Sequence, residues 1–102
     1  MEGSMTFAIE KERIRAIHED GTPMGHIAFP RVRPGLVNIS QVMIQPKYRG
    51  LNLEAAMMDA LLPHLIRQGA KAAITNPFAQ QYVSDHPEWK HVLPGEIHFT
   101  KY

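Results

Sequence analysis

Apolar and polar positions alternate in the first part of the chain and recur at three- and four-residue steps in its middle. Residues 7–18 predict a strand carrying Phe7 and Ile9, then Ile14, Ala16 and Ile17. The parity changes between Ile9 and Ile14, so a bulge or break is expected near Lys11-Glu12. Glu19-Asp20-Gly21-Thr22 predicts a turn with glycine where positive φ is needed. Residues 23–32 predict the returning strand, with Met24, Ile27 and Phe29, and Arg33-Pro34-Gly35 a second turn. Residues 36–44 predict a third strand that becomes apolar on both faces toward its end, as in a central strand covered on both sides.

Residues 51–68 carry the helical period: Leu51, Ala55, Met58, Leu62 and Leu65 share one stripe, which Leu53, Met57 and Leu61 widen. Pro63 inside this stretch predicts a kink or an end, because proline removes one backbone bond. Gly69 suits the C-terminal cap, with Arg67 in the last turn. Residues 70–75 predict a buried strand, parallel to the third one after the crossover. Asn76-Pro77 opens a second, shorter helix that ends before Pro87, and Trp89, Val92 and Leu93 pack back on the core. After Pro94-Gly95, residues 96–102 alternate Ile97 and Phe99 against His98 and Thr100 and predict a last strand. The order β-β-β-α-β-α-β gives an α+β fold, a mixed and mainly antiparallel sheet packed with two helices.

The 102 residues fit a single domain with a modest core. A formal charge of +1 gives no bulk field toward nucleic acid or a membrane. No apolar run approaches the roughly 18 residues of a membrane span. Cysteine is absent, which excludes disulfides, thiolate metal sites and cysteine nucleophiles; the expected location is the cytoplasm. Residues 1–5, with Gly3-Ser4 ahead of a second methionine, read as a cloning remnant or a disordered start. Asp85, His86, Glu88 and His91 match no common zinc spacing, so no metal is expected. Ser40 has no nucleophile-elbow context.

The chemistry concentrates where the third strand meets the long helix, at Lys47-Tyr48-Arg49-Gly50-Leu51-Asn52-Leu53. Backbone N–H groups at a helix start lack intrahelical partners and can hold an anion. Arg49 adds charge, and Gly50 lets the backbone come close. The alternative is an ordinary strand-to-helix turn. Two readings also stand for Asn76, a helix N-cap or a donor to a carbonyl, and for Tyr82, a core tyrosine or an acid.

Two segments resemble the GCN5-related N-acetyltransferases. Ile44-Gln45-Pro46-Lys47-Tyr48-Arg49-Gly50 is similar to their V-x-P-x-x-R-G-x-G turn, and residues 76–89 are similar to the C-P-F-x-x-x-Y-(I/L/V)-x-x-H-P-E-(Y/W) block of a compact subfamily of short single-domain proteins. The Asp20-Gly21 turn with Gly25 also suits that subfamily, and the resemblance covers residues 12–92. It implies acetyl-coenzyme A as co-substrate, held at a splay between strands ending near Ile44 and Thr75. Met43 and Ile44 would pair with the pantetheine arm, and Lys47, Arg49, Gly50, Leu51, Asn52 and Leu53 would hold the diphosphate. Phe78 would line the thioester end with Asn76, which orients the carbonyl, and Tyr82, which acts as acid or sulfur contact. The acceptor would be an unknown primary amine.

The sequence departs from the pattern at telling positions. Asn52 and Glu54 occupy the places of small residues in the phosphate turn, and Glu54 opposes a diphosphate by ~1 kcal/mol at an effective dielectric of about 20. Asn76 replaces the subfamily's cysteine, and Ser40-Gln41-Val42-Met43 replaces its T-H-T-E stretch. A general base is therefore missing from the expected places. The alternative function is a catalytically degenerate scaffold that binds coenzyme A or a protein partner. Exposed edges of a trimmed sheet leave room for a homodimer.

Overall fold

The computed structural model describes residues 5–94. The strand expected over residues 96–102 falls outside them, as do residues 1–4 of the start expected to be a remnant or disordered over 1–5; Met5 is ordered and begins the first strand. Among the described residues there are seven strands: β1 (Met5–Ile9), β2 (Arg13–His18), β3 (Pro23–Ala28), β4 (Arg31–Arg33), β5 (Leu36–Ile39), β6 (Gln41–Ile44) and β7 (Lys71–Ile74). Two α-helices follow the strand-to-helix turn and β7: α1 (Leu53–Arg67) and α2 (Pro77–Asp85). A 3-10 segment, Pro87–Val92, closes the described chain. The fold is the expected α+β, a mixed and mainly antiparallel arrangement of strands with helices.

Each long strand of the sequence reading is split. The expected break near Lys11-Glu12 is a complete reversal, so β1 and β2 form a hairpin with Phe7 opposite Ala16 and Ile9 opposite Ile14. The parity change thus brings both apolar sets to one face. Residues 23–32 divide because Pro30 has no N–H to donate, while the Phe29 N–H turns aside to Glu12 at 2.8 Å. Residues 36–44 divide at Ser40, whose N–H donates to Ala28 at 3.1 Å. The result is two sheets, ordered β1-β2-β3-β6 and β4-β5-β7.

Helix α1 begins two residues later than its periodicity predicts and runs through Pro63 to Arg67. Pro63 costs one hydrogen bond, while Leu61, Leu62 and Leu65 around it are buried and hold the helix in place. Past the last turn, Gly69 (φ 70°) donates to Ile66 at 3.0 Å and Ala70 to Leu65 at 2.9 Å, a Schellman ending. One apolar cluster joins Ile14, Ile27 and Ile44 of the first sheet to Met57, Met58 and Leu62 of α1 and to Ile39 and Ile74 of the second. Trp89, Val92 and Leu93 pack against that cluster as expected. The hairpin turn is fixed by Asp20, whose carboxylate accepts the Thr22 N–H at 2.9 Å. Hydrogen bonds from the Thr22 side chain and backbone hold that carboxyl down at about 2.

Gly25 sets the distance between β3 and β6. A Cβ there would stand 2.6 Å from the Met43 carbonyl oxygen and 2.8 Å from Ile44 Cδ1. The first contact is backbone, which cannot move without shifting β6. Gly25→Ala is expected to destabilise the protein by ~2 kcal/mol and lower its melting temperature by about 10 °C. An unchanged thermal transition would show that β6 has slack the packing does not reveal.

Candidate functional site

The strand-to-helix turn is built on Tyr48. After β6, Gln45 donates to Met24 at 2.9 Å, and residues Pro46–Tyr48 form a 3-10 turn. Tyr48 is buried, with its ring 6.3 Å from that of His18 and Lys47 Nζ 5.6 Å above it. The sequence reading passed over this anchor, although an aromatic residue between two cations inside a turn is a signal of one. Gly50 (φ 89°) and Asn52 (φ 59°) then bring the chain round in two left-handed steps.

Asn52 has a consequence for every amide that follows. An N-cap asparagine ordinarily takes extended angles and accepts an N–H of the first turn. Here the left-handed angle aims its side chain elsewhere, and it makes no capping bond. Among the described residues, no protein acceptor takes the N–H groups of residues 50–55, and the first bonded amide of the helix is that of Ala56, to Asn52. Leu51 is 62% exposed and Leu53 only 2%. Leu53 gives its side chain to the core and leaves only its backbone to a ligand.

Beside this turn lies a cleft of about 440 Å³, which Glu54 of the first helical turn helps to line. Val42, Met43 and Ile44 of β6 form one wall, Arg49 and Glu54 the helix end, and Asn76 and Phe78 the opposite side. The cleft exists because β5 and β7 pair in parallel only as far as Ile39 opposite Ile74. Chain pairing therefore parts earlier than Ile44 and Thr75, at the Ser40 break, and the free edge of β6 faces the gap. Of the expected cofactor residues, Met43, Ile44, Arg49 and Phe78 meet on the cleft walls, and Gly50, Leu51, Asn52 and Leu53 lie in the adjoining turn. Lys47 sits over Tyr48. Two other depressions, of about 420 and 520 Å³, lie by the end of α1 and beside α2, away from the turn.

Asn76 caps α2, its Oδ1 accepting the Ala79 N–H at 3.0 Å. The capping bond uses the amide oxygen and leaves the side-chain N–H₂ as a donor on a residue that lines the cleft. Tyr82 is 5% exposed, and its hydroxyl donates to the carboxylate of Asp59 in α1. His86 stacks on its ring at 4.1 Å and bonds the Tyr82 carbonyl through Nδ1 at 2.7 Å. The hydroxyl of Tyr82 is thus directed to α1. Sequence reasoning missed Asp59, which reads as one polar position beside the apolar stripe; only the packing of α2 on α1 reveals its partner.

Comparisons with known proteins bear on the family and the fold. A family model described as GCN5-related N-acetyl-transferase matches residues 7–92. No curated protein matches the chain. Among solved structures, a GCN5-like protein of Staphylococcus aureus determined by NMR has a TM-score of 0.70 at 13% identity, with 95% of each chain covered. An acetyltransferase-like protein of Acinetobacter baylyi gives 0.59 at 23% identity, over 72% of this chain and 47% of that one. Ard1 of Thermoplasma volcanium gives 0.58 at 16% identity, over 74% and 53%. The chain thus spans about half the length of the latter two. At these identities the likeness is one of fold.

The bond between Tyr82 and Asp59 clips the two helices that flank the cleft. Tyr82→Phe and Asp59→Ala should each destabilise the protein, with a coupling energy of about 1–2 kcal/mol in a double-mutant cycle. Strict additivity in the denaturation midpoints would show that the clip contributes nothing.

Proposed function

We propose that this chain, which belongs to the GCN5-related N-acetyltransferase family, binds acetyl-coenzyme A in the cleft beside β6 and transfers its acetyl group to a primary amine. The observation that carries the reading is the run of unpaired amides over residues 50–55 at the mouth of the splay. Those donors suit a diphosphate, which presents several acceptor oxygens and the negative charge that a helix start favours. Acetyl-coenzyme A, when bound, supplies an activated thioester.

The chain's own residues divide the work. Arg49 adds a charge-assisted contact to the amides of Gly50, Leu51, Asn52 and Leu53, and Lys47 adds positive field from the turn. The unpaired backbone edge of β6 at Met43 and Ile44 accepts an extended arm in the manner of an added strand. Phe78, 37% exposed, gives that arm an apolar side. The N–H₂ of Asn76 donates to the carbonyl oxygen of the thioester, where negative charge develops. Tyr82 serves as acid toward the departing sulfur; its proton rests against Asp59, so donation requires that bond to open.

Glu54 is the misfit. It lies in the first turn of α1 and on the cleft wall, where it favours the helix and opposes the diphosphate. Thermal shift with acetyl-coenzyme A at a hundredfold excess over its Kd should stabilise the protein by about 2.7 kcal/mol. Arg49→Glu should abolish that shift, and Glu54→Gln should tighten binding about fivefold. Retained affinity in Arg49→Glu would defeat the phosphate assignment. Binding without acetyl transfer to any amine would favour a coenzyme A-binding scaffold.

A further inference from the structure

The sheet β1-β2-β3-β6 has two unlike faces. Ile14, Ala16, Ile27 and Ile44 lie on one, buried in the cluster they share with α1. On the other, register places Arg15, His26 and Met43 side by side across three strands, each opposite the next. Gln41 lies two positions before Met43 on the same face. Met43 is 45% exposed and is also part of the cleft wall. His26 thus stands one strand from the cleft, on the face that an acceptor reaches without crossing α1.

A primary alkylamine is protonated at neutral pH and has no free electron pair until a base removes a proton. Among the described residues, the titratable groups on the cleft walls are Arg49 and Glu54, both at the helix end assigned to phosphate. Gln41 and Met43 of β6 carry no such group. His26, half-buried and cross-strand from Met43, does. Its Nε2 lies 3.5 Å from Gln41 Oε1. With that oxygen accepting, the neutral ring keeps its proton on Nε2 and its electron pair on Nδ1. On the other flank, Arg15 is held by Glu10 at 2.8 Å, and Glu10 also takes Arg13 at 2.7 Å. The charges facing His26 therefore include a carboxylate that tempers the two guanidinium groups.

We propose that His26 is the general base for the amine acceptor, which docks on this open face beside Met43. The assignment rests on the acetyl-transfer reading above. The ammonium gives one proton to His26 Nδ1. The freed nitrogen pair forms the C–N bond to the acetyl carbon, and the C–S bond breaks with its electrons on sulfur. Tyr82 gives its proton to that sulfur and is restored by the second nitrogen proton, and the imidazolium returns its own to solvent.

Three measurements test this. Long-range ¹H–¹⁵N spectra of the ligand-free protein should show His26 as the Nε2–H tautomer; the Nδ1–H tautomer would overturn the proposal whatever any variant does. Acetyl transfer from acetyl-coenzyme A is then compared for a primary alkylamine and an arylamine already neutral at the assay pH. His26→Gln should slow the first by about 100-fold or more and leave the second within about twofold, because a neutral nucleophile needs no prior deprotonation. Equal rates for variant and wild type, equal loss on both amines, or no transfer by the wild type would each overturn it. Calorimetry with coenzyme A separates the two readings. Binding retained by both proteins with His26→Gln fully active removes the base and spares the cofactor site, whereas no binding by either removes both.

Discussion

The carbonyl of Ile39 is where this structure commits itself. It accepts two amides from the chain after β7, Thr75 N–H at 3.1 Å and Asn76 N–H at 3.2 Å, and parallel pairing goes no further. From there the two chains diverge. Ser40 donates to Ala28, and β6 joins β3, where Gly25 lets the backbones come close. The other chain turns directly into α2 under the Asn76 cap. The cleft is the space between these departures, so its existence depends on one acceptor oxygen and on one glycine across the sheet.

The turn at the cleft mouth is held from behind, which frees its front. Tyr48 buries its ring, Leu53 gives its side chain to the core, and Gly50 and Asn52 absorb the left-handed angles between them. An asparagine in that conformation costs something relative to glycine, and it persists because the anchors on either side fix the path. The same angle removes the capping bond that would have occupied the first amides of α1. Glu54 then tempers the positive end of the helix. In the proposed site the amides and Arg49 favour an anion while Glu54 opposes it.

Much of this was legible in the sequence, for identifiable reasons. The three- and four-residue recurrence from Ala55 to Leu65 defines α1, Gly69 its end, and Asn76-Pro77 the start of α2, since caps and prolines act locally. The break near Lys11-Glu12 showed in the parity change, whereas those at Pro30 and at Ser40 were less legible. They arise from hydrogen bonds to distant partners, Phe29 to Glu12 and Ser40 to Ala28, which no local pattern encodes. The same limit hid Asp59, tied to Tyr82 across 23 residues, and His26, whose neighbour Met43 follows only from register. The turn from Lys47 to Leu53 was readable because its chemistry is contiguous in the chain.

The central claim is that unpaired amides at the start of α1 take a diphosphate at the mouth of the splay. Its most direct test is a ¹H–¹⁵N titration of the protein with coenzyme A, followed residue by residue. The account predicts the largest shifts at residues 50–55, with a second group at Met43 and Ile44 along the edge of β6. Shifts confined to the depressions by the end of α1 or beside α2, with residues 50–55 unmoved, would contradict it.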